Sequence, residues 1–299
     1  MKRQSTSSDM KSRFRLLALA CALLVSAVRA ESGPDSERPL AQAPANATAT
    51  DTGGKGISSA DLAKTLANPI GALISVPFQN NIDSGGGPAG NGSQFKLNLQ
   101  PIIPFTLNED WLLISRTVLP LVYQKDMSGT SSQSGLADTV QSFFLSPAKP
   151  TESGWIWSAG PAMLLPTATN ELLGGEKWGA GPTVVALKQQ DGWTYGALAN
   201  HIWSFAGNSA RADVSATYLQ PFVSYTTKTS TTFTMNTEST YDWTNEQWTV
   251  PVNFMVQQVM KFGEQPVALT VGARYYADKP DHGSNWGLRF AVIFLFPKL

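Results

Sequence analysis

The sequence predicts an all-β fold, an antiparallel transmembrane β-barrel of about twelve strands preceded by one short helix. Three observations predict it. Apolar and polar residues alternate with period two through most of the chain after Pro69. The connections between the alternating runs swing between short and long. Tryptophans gather near the ends of those runs.

The first thirty residues read as a secretory signal. Lys2, Arg3, Lys11, Arg13 and Arg15 form a basic start, Leu16 to Val28 an apolar core, and "VRA" ending at Ala30 a small-residue cleavage site. That stretch is short for a membrane span, and no later run approaches the roughly 18 apolar residues of a spanning helix. Cleavage removes six of the 22 basic residues and one of the 22 acidic ones, leaving 16 and 21 and a net charge of −5. No basic patch for nucleic acid survives. The single cysteine, Cys21, leaves with the signal, which excludes disulfides and thiolate metal sites in the mature chain.

Residues 31–67 form a linker and a short helix. Glu31 to Gly56 is rich in Ala, Pro, Ser, Thr and Gly and cannot bury a core. Ile57 to Ala67 fits a helix with Ser58 or Ser59 as its cap, with Ile57, Leu62 and Leu66 on one face and Pro69 as its stop. The sequence leaves open whether this helix enters the barrel.

Residues 68–299 then carry the barrel. The expected strands are 70–79, 93–103, 111–123, 138–148, 155–166, 178–188, 193–205, 213–225, 231–242, 247–262, 266–277 and 285–296. In "FKLNLQ", Phe95, Leu97 and Leu99 oppose Lys96, Asn98 and Gln100. In "TVPVNFMVQ", Val250, Val252, Phe254 and Val256 oppose Pro251, Asn253 and Gln257. In "VALTVGARYY", Val271, Ala273 and Tyr275 oppose Gly272 and Arg274. Such runs have the length a membrane strand needs.

Long "NNIDSGGGPAGNG" is followed by short "PFTLNED", long "QKDMSGTSSQSGLA" by short "KPTESG", and "TATNELLGGEK" by "QQDG". Outer-membrane barrels connect their strands this way, with short periplasmic turns and longer outer loops. Of nine tryptophans, Trp111, Trp155, Trp157 and Trp193 fall by short turns, and Trp178, Trp203, Trp243, Trp248 and Trp286 by longer loops. These are two interfacial girdles. The last run puts Trp286, Leu288, Phe290, Val292, Phe294 and Phe296 toward lipid and Gly287, Arg289 and Ala291 inward. It must close on the first strand. Its positions Asn285, Gly287, Phe290 and Val292 resemble the assembly signal of bacterial outer-membrane barrels, which implies the barrel assembly machinery as a partner beside outer-membrane lipid. Phe296 is its last aromatic, and Pro297, Lys298 and Leu299 follow it.

Charge inside the strands carries the functional signal. Lys96, Arg274 and Arg289 alternate with apolar neighbours and point to the lumen, as does Arg116; Asn253, Gln100 and Gln257 add polar lining, and Glu238 is the clear mid-strand acid. These residues either satisfy one another and fill the interior or form a cationic constriction that favours anionic solutes. About twelve strands enclose less than the 16–18 of a porin, so a narrow or plugged pore is expected.

No motif calls for a cofactor, a metal or a catalytic set. "GGGPAG" at Gly85 to Gly90 precedes a strand rather than the helix a dinucleotide loop needs. In "GGKG", Gly56 stands where a phosphate loop needs Ser or Thr. His201 and Ser204 fall on opposite faces of a strand. Asp278, Asp281 and His282 sit in an outer loop without further carboxylates nearby in sequence.

"DLAKTLANPIGALISVPFQNNID" (Asp61 to Asp83), with "GPAMLLPTAT", "ALANHIWSFAG", "YLQPFVSY" and the final strand, resembles a family of bacterial outer-membrane proteins named after the meta-cleavage pathway of phenol degradation, some members of which carry a neuromedin U label. The resemblance spans most of residues 61–297. It implies a barrel in the outer membrane of a Gram-negative bacterium and a role in moving small organic compounds, to which the basic strand residues add an expectation of anionic solutes such as aromatic acids. It brings no catalytic residues. Two other readings stay open: a structural or adhesive barrel that works through its outer loops, and a membrane-embedded hydrolase.

Overall fold

The computed structural model describes residues 58–129 and 131–297. The signal segment 1–30 and the linker up to residue 57 lie outside the described residues, as do Lys298 and Leu299. Helix α1 (Ser59–Leu66) opens the described chain. Ser58 caps it: the Asp61 N–H donates to the Ser58 hydroxyl at 3.1 Å, and that hydroxyl donates to the Asp61 carboxylate at 2.6 Å. The Asn68 side chain, accepting from the Ile70 N–H at 3.0 Å, turns the chain beyond its end.

Strands follow in sequence order: β1 (Ile74–Gly86), β2 (Gly92–Leu99), β3 (Ile102–Thr106), β4 (Trp111–Lys125), β5 (Ser132–Leu136), β6 (Thr139–Pro147), β7 (Trp155–Leu165), β8 (Lys177–Gln190), β9 (Trp193–Gly207), β10 (Ser215–Thr226), β11 (Thr231–Thr237), β12 (Ser239–Asp242), β13 (Gln247–Phe262), β14 (Gln265–Asp278) and β15 (Trp286–Phe296). Three pairs, β2 with β3, β5 with β6 and β11 with β12, are single crossings interrupted at Gln100–Pro101, Ala137–Asp138 and Glu238. The result is a closed antiparallel barrel of 12 strands. Every crossing pairs with its neighbours in sequence, and β15 pairs with β1 from Ile74↔Phe296 to Ser84↔Trp286. No edge is left to expose backbone N–H and C=O groups, which in hydrocarbon would find no partner.

Two boundaries differ from the sequence reading. The first strand is not 70–79 but Ile74–Gly86, so most of "NNIDSGGGPAGNG" is wall, and only residues 87–91 connect β1 to β2. Asn81 and Asp83 keep the inward parity while Ile82 points out, so the alternation runs on through a polar stretch. The fourth crossing starts at Ser132, not residue 138, because β5 pairs with β4 from Ser132↔Lys125 to Leu136↔Leu121. Its alternation is Ser with Gln, which hydropathy does not register.

One end of the barrel carries short turns and the other longer loops. At the turn end Trp111 meets Trp157, Trp155 meets Tyr195 and Trp193 meets Tyr225, with ring centroids 5.0–6.3 Å apart. At the loop end Tyr241 packs on Trp243 and Trp248 at 4.8 and 4.9 Å. Phe254, Val271, Phe290 and Val292 lie exposed between these belts.

The segment from α1 to Leu73 fills the turn end from within. Leu62, Ala63 and Leu73 are buried against Val259, Ala268, Ala291, Ile293 and Leu295. Ile70 is buried with Ile114, Phe144, Ile156, Val185, Leu187 and Leu198 on the other arc of the wall. The Gln189 amide beside the β8–β9 turn donates to the Lys64 carbonyl at 2.8 Å. One short segment thus packs apolar side chains into this end of the lumen.

The membrane-facing parity is testable at Val271, outward and midway along β14. Val271→Lys should cost about 2–4 kcal/mol when the protein is unfolded by urea from lipid vesicles. An unchanged midpoint would contradict a lipid contact there.

Candidate luminal site

Inward side chains on β15 alternate with lipid-facing ones: Arg289 is 2% exposed, whereas its neighbours Leu288 and Phe290 are 39% and 44% exposed. The same parity carries Asn81 and Asp83 on β1, Lys96 on β2, Asn253 on β13 and Arg274 on β14 to the interior. Register joins them directly. Arg289 pairs with Asn81 and with Gly272, Arg274 with Asn253 and Gly287, and Lys96 with Asn81.

Glu238 is the hub. It occupies the break between β11 and β12, where its N–H donates to the Pro251 carbonyl at 3.2 Å and its side chain turns inward. Arg289 grips it bidentately, Nη1 to Oε1 and Nη2 to Oε2, both at 2.7 Å. Arg274 adds Nη2 to Oε2 at 2.7 Å. The outer atoms of both guanidiniums are also held: Arg289 Nε donates to Asn81 Oδ1 at 2.8 Å, and Arg274 Nε to Asn253 Oδ1 at 2.8 Å. Asn253 in turn donates to Asn236 at 2.8 Å. Arg274 Nη1 reaches Tyr276 at 3.4 Å and Asp83 at 3.5 Å. Bidentate charge-assisted bonds of this kind fix geometry as well as adding energy.

Glycine makes the room. A Cβ on Gly287 would lie 2.2 Å from Asp83 Oδ1, so the carboxylate can approach β15 only because that position has no side chain.

Arg116 and Lys96 stand apart from the hub. Arg116, on β4, donates to Gln100 at 3.4 Å, and its buried Nε has no partner among the described residues. Lys96 makes no ion pair among the described residues. In this mid-barrel cluster four basic side chains, Lys96, Arg116, Arg274 and Arg289, stand beside two acidic ones, Asp83 and Glu238. A cavity of about 360 Å³ opens beside them, with Arg116, Gln100, Asn98 and Glu238 on polar walls and Val118, Val140 and Ile202 on apolar ones.

Toward the loop end the wall is neutral and polar. Gln94 donates to Gln124 at 2.9 Å and Gln124 to Gln133 at 3.0 Å, a ladder across three adjacent strands. The connections above are tied down. Asp138 accepts from the Gly175 and Ala168 N–H groups at 2.6 and 3.2 Å, and Arg211 donates to the Glu171 and Gly174 carbonyls at 2.8 and 2.6 Å. Lys177 pairs with Asp213 at 2.8 Å. The Lys177 hydrogen bond and charge hold the exposed Asp213 carboxyl below the usual carboxylate range.

The residues of the final strand are placed as follows. Asn285 precedes β15, its N–H donating to the Ser84 carbonyl and its side chain to the Gly85 carbonyl, both at 2.8 Å. Phe290 and Val292 face outward. Phe296 ends the strand opposite Ile74.

Sequence reasoning missed Asn81, Asp83, Asn236 and the glutamine ladder. The first two were assigned to a loop, and the others lack charge. A signal existed for Asp83: it continues the odd-numbered parity of Gln79 and Asn81 while Ile82 interrupts it. His201 faces outward, its Nδ1 2.7 Å from the Thr217 hydroxyl and its ring 3.9 Å from that of Trp203. Ser204 lies on the other side and donates to Asp213 at 3.2 Å. His282 sits in the β14–β15 connection, its carbonyl accepting from Gly87 at 2.7 Å. Among the described residues no three His, Cys, Asp or Glu side chains converge to hold a metal.

No protein-family model matches the chain, and no curated protein matches it. Solved structures do. An outer-membrane channel from Pseudomonas putida F1 superposes with a TM-score of 0.59 at 16% identity, covering 77% of this chain and 97% of that one. Outer-membrane phospholipase A from Escherichia coli gives a TM-score of 0.43 at 12% identity over 81% of this chain and 99% of that one. The first likeness is one of fold. This chain is an antiparallel barrel of the outer-membrane type, with an apolar band for lipid and a polar, ion-paired interior.

Glu238→Gln removes the counter-charge of two buried guanidiniums and should destabilise the barrel by about 3 kcal/mol in urea unfolding. Asp213 gives a pH dependence. Its folded-state pKa is depressed, so its contribution is fully present at neutral pH and is lost as pH falls through the folded value. Amide protection in residues 208–214, measured against the intrinsic exchange rate at each pH, should therefore fall below the usual carboxylate range, and Asp213→Asn should show the same loss of protection at neutral pH.

Proposed function

We propose that the chain is a gated outer-membrane channel for the uptake of small organic solutes, anionic or aromatic ones among them. The observation that carries this reading is a mid-barrel cluster of four basic and two acidic side chains beside a cavity, with a segment of the same chain packed into one end of the lumen. A purely structural barrel gains nothing from cations in excess of carboxylates in its interior, because uncompensated charge costs desolvation. In a channel that charge recruits counter-ions. The fold shared with the Pseudomonas putida channel supports the reading.

The closing segment is held by apolar contacts rather than covalently. Each of Leu62, Ile70 and Leu73 contributes roughly 1.5–3 kcal/mol by its burial. Together they keep spontaneous release rare, so the resting state is closed and opening requires displacement of the segment. The short turns and the sealed end face the periplasm in this reading, and the tied loops face outward. Lys96, Arg116, Asn253, Arg274 and Arg289 line the path. The strand containing Asn285, Gly287, Phe290, Val292 and Phe296 serves as the signal read by the barrel assembly machinery.

Planar-bilayer recording tests the gate. The mature protein should conduct rarely, and deletion of residues 31–73 should produce stable openings. A deletion variant that folds yet never conducts would sink the channel reading.

A further inference from the structure

Arg116 differs from the other luminal arginines. Arg274 and Arg289 each have their donors spent on Glu238, an asparagine and further neighbours. Arg116 has one long contact to Gln100 at 3.4 Å and a buried, unpartnered Nε. Glu238 borders the same cavity, but both of its oxygens are already engaged by the other two arginines. A buried guanidinium with free donors is costly unless an acceptor meets it. The same cavity is lined by Val118, Val140, Leu164 and Ile202.

From this we infer that the 360 Å³ cavity is a binding site for a small organic monocarboxylate, with Arg116 as its anchor. The inference rests on the channel reading and names the solute class of that channel. The fork of Arg116 receives the carboxylate, and the valine, leucine and isoleucine wall packs the apolar body. The cavity is within the range of small-molecule sites, at its lower end. A monoanion fits better than a dianion, because one free guanidinium faces it and the Glu238 carboxylate borders the same space. A neutral amide offers Arg116 one carbonyl oxygen without the charge and the second acceptor, so it meets the guanidinium only in part.

Isothermal titration of the mature protein in detergent provides the test, with benzoate as probe, benzamide as its neutral counterpart and chloride as a plain anion. Benzoate should bind saturably, with benzamide about ten- to a hundredfold weaker. Arg116→Gln should erase that difference, and Arg116→Lys should keep part of it. Absent saturable benzoate binding, equal binding of benzamide, displacement of benzoate by equimolar chloride, or unchanged benzoate binding by Arg116→Gln would each overturn the assignment. If Arg116→Gln does not fold, the benzoate-to-benzamide ratio on the unmodified protein still decides. The two proposals fail separately. Conductance after deletion of residues 31–73 without benzoate binding rejects the site alone, and benzoate binding by a barrel that never conducts rejects the channel alone.

Discussion

Hydrocarbon offers no hydrogen-bond partner to a backbone, and everything else in this structure depends on that constraint. The sheet must close, so β15 pairs with β1 over their whole common length. That seam fixes the parity of both strands. It aligns Asn81 with Arg289 and Asp83 with Gly287, and the neighbouring pairing aligns Gly287 with Arg274. A slip of β15 by one residue would send Arg289 into lipid and bring Phe290 into the lumen. The ion cluster is therefore a consequence of closure, and its bidentate geometry also makes the register costly to change.

The lumen divides into two chemical zones. Near the short turns the inward positions are Ile, Leu, Val, Ala and Phe, and they bury the segment that enters from α1. Nearer the loops the inward positions are Gln, Asn, Arg, Lys, Asp and Glu, and they bond to one another or border a cavity. The same alternating wall thus supplies a dry seat for the closing segment and a polar compartment next to it. Apolar contacts hold the segment there without leaving unpaired charge behind.

Much of this was legible in the sequence, for a definable reason. Arg274 and Arg289 are flanked by apolar residues at even spacing, so their parity is unambiguous, and the barrel and its tryptophan belts follow from the same alternation. Polar alternation defeated the reading. Asn81 and Asp83 sit in a run whose glycines suggest a loop, and Ser132 to Leu136 alternates two polar residues. Both runs are strands because neighbouring strands continue alongside them, which is a long-range fact. The partners of Glu238 were likewise beyond reach, since Arg289 lies 51 residues away in sequence. Whether the helix enters the barrel depends on how Leu62 and Ile70 meet opposite arcs of the wall, which no local pattern encodes.

The central claim is that the segment from α1 to Leu73 is seated inside the lumen. Cys21 is the single cysteine of the sequence, so in a Cys21→Ser background single cysteines can report on this segment. Ala63 is completely buried at the helix–wall contact, whereas Ser58, at the cap, is exposed. The direct measurement is the rate at which a water-soluble maleimide labels Ala63→Cys and Ser58→Cys in the folded protein. The account predicts fast labelling at position 58 and labelling many-fold slower at position 63 until the barrel is unfolded. Equal rates at the two positions in the folded protein would contradict it.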